Sequence, residues 1–248
     1  MPNSLNIQEL AFVVAVRQQD PTLINPEFLH YSGIIPEAWE LAQQPVRSAQ
    51  AAQIRFKNGV AVMAYPQRTV FIEPFRQDSE EQLVPGIVQR YTEILRNLEL
   101  QAFGFNLQGF VPFNQSADAA RNYLNEKLLA NGPWQHIIGT APVQAQLNFS
   151  YQFDRNRLSL SVQEAALQLP EQQRVPIVMF AGNFENDLRS ISAPERLGHL
   201  HQLLQSWPQD LAAYQSVVDQ FLGTASAETS SELQVINAAP MEPVLESV

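Results

Sequence analysis

Phe71-Ile-Glu-Pro-Phe75-Arg-Gln-Asp78, ahead of a helix that opens at Pro85, recurs as Phe180-Ala-Gly-Asn-Phe184-Glu-Asn-Asp187, ahead of a helix that opens at Pro194. The four anchors Phe71, Phe75, Asp78 and Pro85 keep one common offset from Phe180, Phe184, Asp187 and Pro194. Upstream, Trp39 and Pro45-Val46 recur as Trp134 and Pro142-Val143, and Phe12-Val-Val-Ala-Val corresponds to Phe103-Gly-Phe-Asn-Leu. Read as an internal duplication, the pattern predicts an α+β fold. Two β-α-β-β-β-α halves are related by a pseudo-twofold axis, with antiparallel-rich sheets that face or adjoin and helices on their apolar faces. The halves run over residues 1–99 and 100–223, the second with extended C-terminal helices. Residues 224–248 are acidic, carry no basic residue and keep no period, which predicts a flexible tail.

Local signals fill in each half. The β-branched run at 10–17 is too short for a helix and predicts a buried strand. Asn25-Pro26 supplies a cap and a first-turn proline for a helix ending near Gly33. Strands are expected over 46–56, 60–65 and 69–73, the first two joined by a tight turn at Asn58-Gly59. A helix should follow from Pro85 to about Leu98. In the second half, a strand over 101–111 leads to a helix capped by Ser116, with Ala120, Tyr123, Leu124 and Leu128 on one face and a stop at Asn131-Gly132. Strands are then expected over 143–153, from Leu158 onward, and over 176–184. The last helix must end or kink at Trp207-Pro208.

The composition narrows the function. Twenty-five acidic against fifteen basic residues give a net charge of −10, which repels phosphate backbones and anionic lipids, so no nucleic-acid partner is expected. No apolar run reaches the ~18 residues of a membrane span, and no membrane insertion is expected. Without cysteine there is no disulfide, thiolate nucleophile or cysteine-bound metal. The N-terminus lacks the basic and apolar regions of a signal peptide, and a cytoplasmic location is expected. Glycine-rich phosphate loops, nucleophile elbows and His-Glu-x-x-His are all missing, so no catalytic residue and no cofactor is expected.

Candidate sites remain to be weighed. His199 and His201 are two apart on a helix and diverge, which argues against a metal site. Glu73, Asp78, Glu185 and Asp187 lie at corresponding strand ends, where Asp78 and Asp187 are expected to bond loop amides rather than an ion. Trp39 and Trp134, equivalent in the repeat, are candidates to line an aromatic cavity between the halves. The strongest surface signal is the alternation in which Gln144, Gln146, Asn148, Ser150, Gln152, Ser159, Ser161 and Gln163 share one face without a single charge. Neutral amides and hydroxyls cost less to desolvate than ions, which suits contact with a protein or a polar ligand.

Phe12 through Arg17-Gln-Gln-Asp-Pro21, the Lys57-Asn-Gly-Val60 hairpin and Phe71-Ile-Glu-Pro74 resemble conserved hypothetical proteins of cyanobacterial type. That resemblance brings no activity with it. In fold the duplicated β-α-β modules are similar to GyrI-like and haem-binding SOUL effector domains, which hold ligands in a groove between halves but differ in strand count. The reading reached is a non-enzymatic protein-binding or assembly module, self-association included. The alternative is a small-molecule sensor using the groove between the halves.

Overall fold

The computed structural model describes residues 4–77, 82–113, 116–130, 132–133, 135, 144–168 and 174–223. The expected flexible tail, Asp78, Trp134, His136 and Val143 lie outside the described residues. The fold is α+β and is built on one nine-stranded sheet whose neighbours all pair antiparallel. In chain order the strands are β1 (Asn6–Val16), β2 (Val46–Arg47), β3 (Ala52–Arg55), β4 (Ala61–Tyr65), β5 (Arg68–Pro74), β6 (Leu100–Pro112), β7 (Gln146–Gln152), β8 (Arg157–Gln168) and β9 (Arg174–Asp187). Across the sheet they run β2-β3-β4-β5-β1-β6-β9-β8-β7. The expected sheets therefore adjoin, joined by the long β1–β6 pair.

The helices are α1 (Pro26–Tyr31), α2 (Val84–Ile94), α3 (Ala119–Asn122), α4 (Ala193–Gln205) and α5 (Trp207–Leu222). Asn25 caps α1 by accepting the Phe28 N–H at 2.8 Å, and Gly59 turns the β3–β4 hairpin at φ +89°, a region that favours glycine. Three boundaries differ from expectation. The strand sought over 46–56 is interrupted because Ser48 Oγ takes the N–H groups of Gln50 and Ala51, which leaves β2 two residues long. α2 ends at Ile94, where Leu95 leaves helical geometry and Leu98 turns back onto its carbonyl. Ser116 does not cap with its side chain. Its carbonyl accepts from Ala119 N–H, and α3 widens at once into a π-helical turn, Tyr123–Leu128. Pro208 does separate α4 from α5, sitting in the first turn of the latter.

One row of side chains crosses the helix-covered face, each beside the next in register: Ile54, Val62, Phe71, Phe12, Phe105, Phe184 and Leu158. All are essentially inaccessible to water. Phe12 and Phe105 stack at 4.8 Å, and the Trp207 ring stands edge-on over both, at 6.3 and 5.9 Å. The third tryptophan, not one of the repeated pair, thus sits at the centre. Tyr214 of α5 reaches the same face, donating its hydroxyl to Phe180 O at 2.8 Å over Gly182. A Cβ at Gly182 would lie 2.7 Å from the tyrosine ring, so that glycine is there for close approach.

The register does not follow the offset of the sequence pattern: Phe71 pairs with Phe12 and Phe184 with Phe105, whereas Phe180 pairs with Gly109 and Val162. Between the helices the original spacing holds. Thr92 Oγ1 of α2 meets His201 Nε2 of α4 at 3.0 Å, two positions related by the same offset as Pro85 and Pro194.

Candidate functional site

Alternation in β7 and β8 carries through to three dimensions. Leu147, Phe149 and Tyr151 turn toward the helices, Phe149 meeting Phe221 of α5 at 5.0 Å. Gln146, Asn148, Ser150 and Gln152 are exposed on the opposite face, beside Gln163, Ser161, Ser159 and Arg157 in turn. Gln146 donates to Ser161 Oγ at 3.0 Å, and Gln152 turns into the hairpin to reach Phe153 O and Asn156 O. Gln144 is exposed just ahead of the strand. The hairpin tip is clamped from behind. Arg155 and Asn156 both donate to the Asp210 carboxylate of α5, at 2.8 and 3.0 Å, and burial pushes that carboxyl above the ordinary aspartate range.

β7 ends the sheet, so one of its backbone edges has no strand beside it among the described residues. It contains no charge and no proline, and its register with β8 runs through seven pairs without a bulge. Lysines, prolines, bulges and short length are the usual devices that stop edge-to-edge pairing, and β7 has none of them.

The face opposite the helices differs from end to end. Over β1, β4 and β5 it is apolar, with Ala11, Val13, Ala61, Met63, Val70 and Ile72 all buried beside Tyr65. Beyond β6 it becomes polar, through Asn106, Asn183, Ser159 and Ser150. At the changeover lies a groove of about 840 Å³, with Val13, Ala15, Ala102 and Gly104 along β1 and β6. Arg68 stands on one side and Asn183 and Arg157 on the other.

The remaining sequence candidates do not converge. Trp39 packs edge-on against Phe56 at 5.3 Å, next to the β3 end of the sheet, and is not part of this groove. Glu73 points to the helix side, where its two oxygens accept the N–H groups of Leu83 and Val84 at 2.9 and 2.8 Å and so cap α2. Burial raises its carboxyl above the ordinary glutamate range, and these two bonds oppose the rise. Glu185 lies on the opposite face and pairs with Arg157 at 3.2 Å. Asp187 binds the Arg189 backbone N–H and guanidinium, which hold it below its usual range. His199 borders the groove, while His201 faces Thr92.

Sequence reasoning did not single out Arg68, Gly104, Asn106 or Asn183. A signal existed for two of them, because Gly104, Asn106 and Gln108 alternate with Phe103, Phe105 and Leu107 and so share the face opposite the helices. Compared with protein-family models and with curated proteins, the chain matches none. Among the described residues no helix is long and apolar enough to cross a membrane.

Proposed function

We propose that the chain is a non-enzymatic cytoplasmic assembly module that pairs with a second copy of itself along the edge of β7. The observation that carries this is an edge with no strand beside it among the described residues: seven residues, without a bulge, uncharged and free of proline. A strand whose side chains are glutamine, asparagine and serine on one face can meet its own twofold copy without like-charge repulsion, and its amides can bond to one another. The row Ser150, Ser159, Asn183 and Asn106 would extend that neutral surface inward from the seam.

Within the same reading, the two halves descend from one duplication and a pseudo-twofold axis passes through the Phe12–Phe105 pair. Support comes from a strand order that repeats outward from β1 and β6, and from the contact between Thr92 and His201 at equivalent helix positions.

Sedimentation of the full chain tests the assembly. It should show a concentration-dependent dimer. Gln146→Lys with Ser150→Lys should weaken it about 30-fold or more, since each of the two new charges must be desolvated or left facing its copy at roughly 1–3 kcal/mol. Gln89→Lys with Gln205→Lys, on exposed helix surfaces, should leave it unchanged. A chain that stays monomeric throughout, or that answers both pairs equally, would refute edge pairing.

A further inference from the structure

We propose that the groove between β1, β6 and β9 binds a small hydroxylated organic oxyanion, with Arg68 holding the anionic group and Asn106 and Asn183 the hydroxyls. The room comes from the floor. Gly104 sits in the middle of a central strand, where glycine weakens pairing and leaves nothing to pack. Neither conformation nor crowding requires it. Its φ lies outside the left-handed region, and the nearest atoms to an added Cβ would be Val13 Cβ at 3.4 Å and two oxygens at 3.8 Å, ordinary contact distances. With Ala15 and Ala102 beside it, Gly104 keeps the floor low enough for a ligand to lie against the sheet.

Polar capacity is left over around that floor. Arg68 Nε and Asn106 Oδ1 are both shielded from water and have no hydrogen-bond partner among the described residues, and both residues line the groove. A buried polar atom without a partner is costly, so a ligand that supplies one gains affinity. The other arginines at the groove are already engaged: Arg157 with Glu185, Arg189 with Asp187, Arg155 with Asp210 and Arg17 with Glu99. Arg68 differs from them. It has no carboxylate partner among the described residues, and its guanidinium lies 5.0 Å from the Tyr65 ring centroid, which orients the donor fork. Asn106 and Asn183 are cross-strand neighbours, so their amides act together on adjacent hydroxyls.

Titration calorimetry on the full chain tests the site with glucose 6-phosphate, glucuronate, glucose and inorganic phosphate as probes. Glucose 6-phosphate or glucuronate should bind at least tenfold more tightly than glucose or phosphate alone, and the stronger of the two identifies the oxyanion as phosphate or carboxylate. Arg68→Met should weaken that binding at least tenfold while leaving the melting temperature in place, and Gly104→Leu should abolish it by filling the floor. Absence of heat with both sugar acids would overturn the proposal. So would equal binding of glucose, or full retention of affinity in Arg68→Met. Edge pairing by β7 is read by sedimentation and stands or falls separately.

Discussion

The first half of the sheet ends in β2, two residues long and carrying Arg47, whereas the second ends in β7, seven residues with no charge at all. Inside those edges β5, β4 and β3 follow β1 on one side and β9 and β8 follow β6 on the other, and one row of buried side chains crosses both sides. Residues that must pack against each other are constrained from every side, while an edge strand answers only to its single neighbour and to solvent. The interior is therefore constrained alike on both sides of β1 and β6, and the edges are not. One edge is short and charged, and the other, among the described residues, is long, neutral and without a neighbouring strand.

The centre offers the strongest way to break this comparison. Phe12→Ala and Phe105→Ala each remove a fully buried ring from the shared row, and each should cost about 3–5 kcal/mol. For a chain of this size that is a fall of roughly 6–20 °C in melting temperature. Thermal unfolding followed by circular dichroism measures it. Similar losses at both positions are expected, and a neutral result at either would mean that the centre belongs to one half alone.

A smaller contrast separates the strand ends. Glu73 and Asn186 occupy corresponding places outward from the centre, but Glu73 caps α2 through two bonds whereas Asn186 makes one long bond, 3.4 Å, to Phe103 O. Glu73→Ala leaves two N–H groups without their acceptor and should cost about 2–4 kcal/mol, against about 1 kcal/mol or less for Asn186→Ala. The pH profile adds a second reading. Because the folded carboxyl of Glu73 is raised, the folded state keeps a proton that the unfolded chain gives up. Its contribution is full below the ordinary glutamate value, declines as pH rises through the raised one, and is constant above. Glu73→Gln should flatten the denaturation midpoint across that window, and an unchanged slope would exclude Glu73 as its source.

Least change in stability is expected at the edges themselves. Val46→Lys on β2 and Ser150→Lys on β7 are both exposed and should each shift stability by about 0.5 kcal/mol or less. Only Ser150→Lys should alter sedimentation. A response from Val46→Lys of the same size would show that the difference between the edges has no bearing on assembly.

Several of these features are legible without coordinates. The α+β class, the Asn58-Gly59 turn, the Asn25 cap, the break at Pro208 and the neutral face from Gln146 to Gln152 all follow from rules that act within a few residues: alternation, turn geometry and the missing N–H of proline. The recurrence of Phe71, Phe75, Asp78 and Pro85 at one offset was legible too, although the strand register was not. Loops of unequal length slide strands against helices without leaving a trace in local spacing, so local spacing did not show that Phe71 would pair with Phe12 and Phe184 with Phe105. Candidate sites follow the same division. Glu73 and Glu185 lie at corresponding strand ends along the chain, yet one caps a helix and the other lies on the opposite face, because a one-residue difference in strand phase sends a side chain to the other side of a sheet.

Sequence alone determined which segments become strands, where the chain turns, and that one strand face carries no charge. Only the tertiary structure decided that β7 is an edge, that Trp207 rather than Trp39 stands at the centre, and that Arg68, Gly104, Asn106 and Asn183 share a groove. Those outcomes depend on which strands lie side by side. That choice is made by burying the phenylalanine row from both halves at once, a long-range gain that no local window of residues records.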